Sequence, residues 1–223
     1  MAKAATSFLA QGLSGALGPV VFVNGPNGTY LREKPAYRTG SRSRKELDGQ
    51  AQTAIVAAAW AQLSPEEMIR WRAYAESLAA AQPRERRVTS SGYAAYFALS
   101  KKLLQVDQTA PLPTEPPTGR FPGDVVTFEV QPYDEGDVQG IAFVANRANL
   151  PGVLTELLIQ PLANGARKPI ERAYRSQAFV AFDGVLTAEV PALPGWYACA
   201  TRFVEAATGR TKELWPCGVV HVG

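Results

Sequence analysis

The chain is poor in the side chains on which most enzymes and metal sites depend. Its 223 residues include one histidine and two cysteines, and charged residues make up only 19% of the total. A zinc site normally needs three or four Cys or His ligands, and a disulfide scaffold needs more cysteine. A catalytic triad would have to use His221, the single histidine. We therefore expect a protein that is not an enzyme, with no catalytic residues, no cofactor and no metal site.

The sequence also lacks a long hydrophobic run. No stretch reaches the 18 apolar residues that indicate a membrane-spanning helix. The apolar part of residues 1–17 is too short and too interrupted for a signal peptide. We expect a protein made in the cytoplasm, with no membrane partner.

Basic residues are concentrated in the first part of the chain. Residues 1–123 hold 15 basic and 9 acidic residues, whereas residues 124–223 hold 8 basic and 11 acidic residues. Most of the basic excess lies in residues 32–45, in which only Glu33 is acidic. We predict that this segment docks on a partner. The predicted docking residues are Tyr30 and the basic residues Arg32, Lys34, Arg38, Arg42, Arg44 and Lys45. Such a segment can bind nucleic acid or an acidic protein surface, or it can simply be solvated.

Residues 1–45 are predicted to form an extended, glycine-rich and basic arm with a hairpin. Asn27-Gly28 is a strong turn signal between the apolar run Pro19–Val23 and the segment Thr29–Arg32. A lone hairpin is marginal in water, so it must dock on this chain's helices or on a neighbour.

Residues 46–106 are predicted to form a three-helix unit. The first helix, Glu46–Leu63, is alanine-rich, with Leu47, Ile55, Ala58 and Val56 on its predicted buried side. Ser64 and Glu67 match a capping box that starts the second helix. The third helix begins near Ser90 or Ser91 and ends at Leu104. The predicted core aromatic residues of the unit are Trp60, Trp71, Tyr74 and Tyr96.

Residues 107–123 contain five prolines and are predicted to be a stiff linker.

Beyond the linker the hydrophobic period changes from 3.6 to 2, which predicts a β-domain over residues 124–223. Val126, Phe128 and Val130 alternate with Thr127, Glu129 and Gln131, which predicts the first strand. The other predicted strands are Gly140–Ala145, Thr155–Gln160, Ala178–Phe182, Val185–Val190, Gly195–Val204 and Glu213–Val222. Seven short strands at spacings near ten residues are typical of a small sandwich. The stretch Pro194–Ala200 resembles the last hairpin of a fibronectin type III-like or immunoglobulin-like domain. The predicted fold class is therefore α+β, with two domains: the arm and helices, then an antiparallel β-sandwich.

The two cysteines, Cys199 and Cys217, fall in the last predicted hairpin. They could face each other across the ladder or point to opposite faces. Two buried thiols are the default in a reducing compartment, and a disulfide is the alternative.

The order of motifs over residues 12–104 resembles a group of uncharacterised proteins of phage and prophage genomes. The shared features are a glycine-rich hairpin ending in Tyr30-Leu31-Arg32, a tryptophan pair around Leu63-Ser64, and a later Ser-Gly-aromatic helix at Ser91. The chain departs from the group at Tyr37–Ser41, where the group shows Asn-Pro before Thr and Gln. The resemblance implies a viral origin but no particular role.

These observations favour a structural protein of a tailed bacteriophage virion. We expect it to be capsid-associated or head-decorating, with a neck or tail protein as the alternative. It would be a homo-oligomer that docks through its arm on other virion proteins. The alternative from another class is a nucleic-acid-binding protein that uses residues 32–45.

Overall fold

The structure is a computed structural model that describes residues 15–25, 28–35, 40–80, 91–136 and 138–223. The chain divides into two compact units, Met1–Leu47 and Asp48–Gly223. The predicted linker, residues 107–123, lies within the second unit together with most of the helical residues and all of the β-domain. We predict that residues 124–223 fold when they are expressed alone.

The N-terminal unit contains a three-stranded antiparallel sheet. Its strands are β1 (Gly15–Leu17), β2 (Val20–Gly25) and β3 (Gly28–Glu33), in the spatial order β1-β2-β3. The predicted hairpin corresponds to β2 and β3, whereas β1 was not predicted. Gly18, with a φ of 59°, lies in the turn between β1 and β2, and this conformation favours glycine.

Three helices follow, α1 (Arg44–Ala61), α2 (Pro65–Ala80) and α3 (Gly92–Val106). Each helix is preceded by a serine that caps it. The backbone N–H of Glu46 donates to Ser43 Oγ while the N–H of Ser43 donates to the Glu46 carboxylate, which makes a capping box for α1. Ser64 and Glu67 form the predicted box at α2. Ser91 accepts a hydrogen bond from the N–H of Ala94 and caps α3.

The helices pack around one aromatic cluster. Trp71 of α2 is fully buried and Tyr96 of α3 is 1% exposed, and their rings are perpendicular with centroids 5.1 Å apart. Gly92 permits this approach, because a Cβ there would lie 2.8 Å from the backbone nitrogen of Arg72.

The prediction for the buried side of α1 was wrong at most positions. Val56 is buried, but Leu47 and Ile55 are each 50% exposed and Ala58 is exposed as well. The apolar residues of this alanine-rich helix extend around much of its surface, so helical spacing alone could not select the side that contacts α3.

Seven strands form two further antiparallel sheets. Their bounds are β4 (Phe128–Glu135), β5 (Val138–Ala145), β6 (Val153–Leu162), β7 (Arg175–Val180), β8 (Thr187–Pro191), β9 (Gly195–Glu205) and β10 (Trp215–Val222). One sheet has the order β4-β5-β8, and the other has the order β10-β9-β6-β7. A single turn of 3-10 helix, Glu171–Ala173, precedes β7.

The two sheets share one hydrophobic core. Ile141 and Phe143 of β5 pack with Leu157 of β6, Cys199 of β9 and Phe182, all of which are fully buried. The start of β4 alternates between core and outward-facing residues, as the period-2 pattern predicts, whereas most consecutive residues of β6 and β9 are buried. The α+β class is thus confirmed, with three helices and three antiparallel sheets in the described part of the chain.

The proline-rich segment 107–123 lies against both the helices and the β-domain. The indole N–H of Trp71 donates to the carbonyl of Thr114 at 3.0 Å. Arg210, which lies beyond β9, donates to the carbonyls of Thr118 and Gly119 at 3.2 and 2.7 Å. Phe121 is buried. Hydrogen bonds to its backbone carbonyls therefore hold the segment at its middle, Thr114, and again at Thr118 and Gly119.

None of the helices in the described ranges combines the length and the apolar character that a membrane span requires.

Candidate interaction surface

The predicted docking residues lie on the surface wherever the structure describes them. Tyr30 and Arg32 belong to β3, and Lys34 follows this strand; Arg42 precedes α1, and Arg44 and Lys45 form its first turn. All six are exposed, with Tyr30 at 52%. Arg38 lies outside the described residues.

The positions of Arg44 and Lys45 oppose the stability of α1. The N-terminus of a helix carries partial positive charge, so cations in the first turn are unfavourable by about 0.3–1 kcal/mol each. Glu46 in the same turn offsets part of this effect. Two cations at this place add to the positive potential of the surface, which attracts an anionic partner.

The N-terminal sheet presents apolar side chains on both of its faces. Cross-strand pairing puts Val21 beside Arg32 and Val23 beside Tyr30 on one face, and Phe22 beside Leu31 on the other. Leu31 is 42% exposed, and residues 15–23 and 29–33 of this sheet are all at least partly exposed. Three strands become stable when a hydrophobic face is covered. The sheet therefore has apolar surface that a further contact could cover.

The four predicted core aromatic residues come together in the helical unit. Trp71 and Tyr96 are buried, while Trp60 and Tyr74 are partly buried against them. Tyr96 contacts both tryptophans, with ring centroids 5.2 Å from Trp60 and 5.1 Å from Trp71. Their packing indicates a structural role within the unit.

A second surface, which the sequence reasoning missed, is the outer face of the sheet β4-β5-β8. These three strands hold four acidic residues, Glu129, Asp134, Glu135 and Glu189, and no Lys, Arg or His. Glu129 is paired with Val144, and Glu189 with Ala142, so both carboxylates lie on the face turned away from the core. We call this surface the acidic sheet face.

Tyr133 lies over Gly140 of the central strand, toward one end of the acidic sheet face. Its Cε1 atom would be 2.6 Å from a Cβ at Gly140, so only glycine leaves room for the ring at this position. Burial raises the pKa of Tyr133, and the nearby carboxylates of Glu189 and Glu135 raise it further. The face thus combines an aromatic ring and small apolar side chains with negative charge on its flanking strands.

The alternation of Glu129 with Phe128 and Val130 does predict that Glu129 faces outward. The pairing of β8 with β5 is a long-range contact, however, and the chain order of the strands does not specify it. The approach of Glu189 to Tyr133 could therefore not be predicted.

The two cysteines and the single histidine are the side chains that could act as nucleophile or base. Cys199 and Cys217 are unbridged, and Cys199 is fully buried. Burial, and then neighbouring Cys217, raises the pKa of Cys199 to about 12, which keeps this thiol protonated and poorly nucleophilic at neutral pH. His221 is exposed, with its ring centroid 4.7 Å from that of Trp196. In the described ranges, no three His, Cys, Asp or Glu side chains are grouped as metal ligands would be.

Comparison with known proteins found no matching family model, no similar curated protein and no similar solved structure.

Proposed function

We propose that this chain is a structural protein of a tailed bacteriophage virion, associated with the capsid as a head decoration. It docks through its N-terminal unit and presents its β-domain outward. The observation that carries the proposal is the N-terminal sheet, whose two apolar faces are incompletely covered and whose last strand leads into exposed basic residues. The resemblance of residues 12–104 to phage and prophage proteins supports the viral origin.

The β-domain is, in this proposal, a fibronectin type III-like module. Its seven strands form the sheets β4-β5-β8 and β10-β9-β6-β7. In an immunoglobulin constant-type domain the fourth strand joins the sheet of the first, second and fifth strands. Here the fourth strand, β7, pairs with the third, β6, which favours the fibronectin-like arrangement.

A tyrosine corner also supports this assignment. The hydroxyl of Tyr197, near the start of β9, donates to the carbonyl of Leu193 at 2.8 Å. Sandwich domains of the immunoglobulin class commonly hold the turn before their sixth strand in this way. The intervening Pro194-Gly195 explains the tight return of the chain, because Gly195 has a φ of 149°.

The proposal predicts that the N-terminal unit is required for attachment to virions. The test is co-sedimentation of the protein with particles that lack it, comparing the full chain with a chain lacking residues 1–42. This deletion keeps Ser43 and Glu46, the capping box of α1. We expect the full chain to bind and the deletion to remain in the supernatant.

A matched control separates docking from misfolding. The deleted chain should keep the far-UV spectrum expected for helices and strands, as well as a cooperative thermal transition. Equal binding by the two chains would place the docking surface on residues 43–223. Failure of the full chain to bind heads, followed by binding to purified necks or tails, would support the alternative placement there.

Nucleic-acid binding is the second candidate, and Tyr30 and Arg32 are the observation that favours it. They are two positions apart in β3 and share a face, where an aromatic ring and a cation could contact bases and phosphates. A salt titration of binding to an oligonucleotide tests it, because phosphate contacts weaken steeply with ionic strength. Specific binding retained at physiological salt would favour this function over attachment to a virion.

A further inference from the structure

The chain carries two sheet faces whose exposed charges are complementary. On the N-terminal sheet, the face of Tyr30 and Arg32 also holds Val21 and Val23, and Lys34 follows at its end. The acidic sheet face carries the exposed Glu129 and Glu189 on its two outer strands; on its central strand Val144 is partly exposed and Ala142 is buried. Both faces are therefore mixed apolar and charged surfaces, and their charges are opposite in sign.

We propose that the Tyr30–Arg32 face of one copy packs on the acidic sheet face of a second copy. The inference deepens the proposed function and rests on it, because it names neighbouring copies of this chain as one partner of the N-terminal unit. Two antiparallel sheets that meet in this way pack about 10 Å apart, with side chains of both faces between them.

The fit can be described residue by residue. Val21, Val23 and the ring of Tyr30 would lie over Val144, the partly exposed residue of the central strand, because Ala142 is already buried. Arg32 and Lys34 would then lie at the rim with Glu129 and Glu189. Rim charges of opposite sign speed association and fix orientation, and like charges there oppose wrong pairings.

The opposite charges explain why the occupant is a second copy in this orientation. Two N-terminal sheets would bring Arg32 and Lys34 against the same residues of their partner, and two acidic sheet faces would bring glutamates together. A contact between two different patches of the same chain is heterologous, so it closes into a ring or continues as an open array. Either arrangement suits a protein that covers a symmetric particle.

The experiment measures self-association of the full chain by sedimentation velocity. We expect wild type to associate at 0.1 M salt and to dissociate at 1 M salt, because the Debye length falls from about 10 Å to about 3 Å. The double variants R32E/K34E and E129K/E189K should each raise the dissociation constant by about tenfold or more. A mixture of the two variants should recover association, because the reversed charges are complementary again.

Two control variants keep the test specific. R167E/K168E and E171K/E213K change the charge of the chain by the same amounts at exposed positions away from both faces. They should associate as wild type does. Far-UV spectra and melting temperatures of all variants identify any that fail to fold.

Several outcomes would overturn the inference. These are a wild type that stays monomeric at low salt, charge-reversal variants that associate normally, and a mixture that does not recover. Binding of an oligonucleotide that R32E/K34E abolishes, with no self-association, would assign the basic face to nucleic acid instead. Self-association without attachment to particles would support this inference and contradict the proposed virion function. Attachment to particles by a strictly monomeric chain would support the virion function and contradict this inference.

Discussion

Lys102 of α3 places its ammonium 3.0 Å from Oε1 of Glu156 in β6 and thereby joins the helical unit to the β-domain. Arg202, the cross-strand neighbour of Glu156 in β9, contributes a second ion pair at 2.7 Å. The Glu156 side chain is 1% exposed, and the Lys102 ammonium also lies over the ring of Phe179 at 5.2 Å. This is a buried ionic contact between two elements of different type, so both charges depend on the docking of α3.

Loss of the Glu156 charge should destabilise the chain strongly. Removal of one partner from a buried ion pair costs about 3–5 kcal/mol, because the other charge stays buried without compensation. We expect Glu156→Gln to lower the free energy of unfolding in urea by about this amount, reduced to the extent that Lys102 can reach water. The same substitution in a Lys102→Met background should cost less, because the buried ammonium is gone.

The double-mutant cycle reports the coupling directly. Arg70 and Glu115 form an exposed pair at 2.5 Å and serve as the matched control, for which we expect a much smaller coupling because solvent screens both charges. Equal and additive effects at the two pairs would contradict the assignment of Glu156 as a docking residue.

The stability of the chain should fall in acid partly through Glu156. Burial by itself would raise the pKa of Glu156, but the charges of Lys102 and Arg202 hold it below the ordinary value of 4.5. Because the folded-state pKa is lowered, this contribution is complete above pH 4.5 and is lost as the pH falls through the folded-state pKa. Urea midpoints measured between pH 7 and pH 3 should therefore decline less steeply for Glu156→Gln than for wild type.

The exposed Glu213 provides the control for this pH profile. Glu213→Gln removes a carboxylate from an exposed position and is measured over the same pH range. If Glu156→Gln kept the wild-type slope below pH 4.5, the contribution of Glu156 to acid unfolding would be excluded.

Substitution of Gly209 by alanine should destabilise the chain more than the same substitution at a glycine of similar φ that has open space around it. Its φ is +72°, and a Cβ would contact the carbonyl of Leu99 and lie 3.2 Å from the Leu103 backbone nitrogen, both in α3. Gly152 has a φ of +77° and open space around it. Gly152→Ala should cost about 1–2 kcal/mol from backbone strain alone. We expect Gly209→Ala to cost clearly more, and equal melting temperatures for the two variants would show that α3 is not held against this turn.

The strands of the β-domain could be predicted because their pattern is local. Each of the seven predicted segments overlaps an observed strand, and the alternation around Phe128 and Val130 identifies the core side of β4. The serine caps of α2 and α3 were equally local, since the capping residue and its partners lie within a few positions. These features depend on near neighbours in the sequence.

The remaining features depend on contacts between distant parts of the chain. Three of these features are the exposed side of α1, the acidic sheet face and the hydrogen bonds of residues 107–123. To predict any of them, one must know which helix or strand packs beside the segment. Lys102 and Glu156 are 54 positions apart, and neither residue has a sequence signal that indicates the other. Long-range pairing therefore accounts for what sequence reasoning missed.

Trp71 should contribute far more to stability than Trp215. Trp71 is fully buried, its ring meets Tyr96 and Tyr74, and its indole N–H donates to Thr114, whereas Trp215 is 65% exposed at the start of β10. Truncation of a buried aromatic side chain costs about 3–5 kcal/mol, because it removes transferred apolar surface and leaves a cavity. We expect Trp71→Ala to lose about this much in urea unfolding.

Trp215→Ala is the matched control, because it removes the same side chain from an exposed position. Surface substitutions usually change the free energy of unfolding by no more than about 0.5 kcal/mol. If Trp71→Ala is too unstable to purify, Trp71→Phe retains most of the apolar volume and isolates the lost hydrogen bond to Thr114, worth about 1 kcal/mol. A Trp71→Ala variant as stable as Trp215→Ala would show that the aromatic cluster is not the core of the helical unit, and the surface of α2 would then become a candidate docking surface.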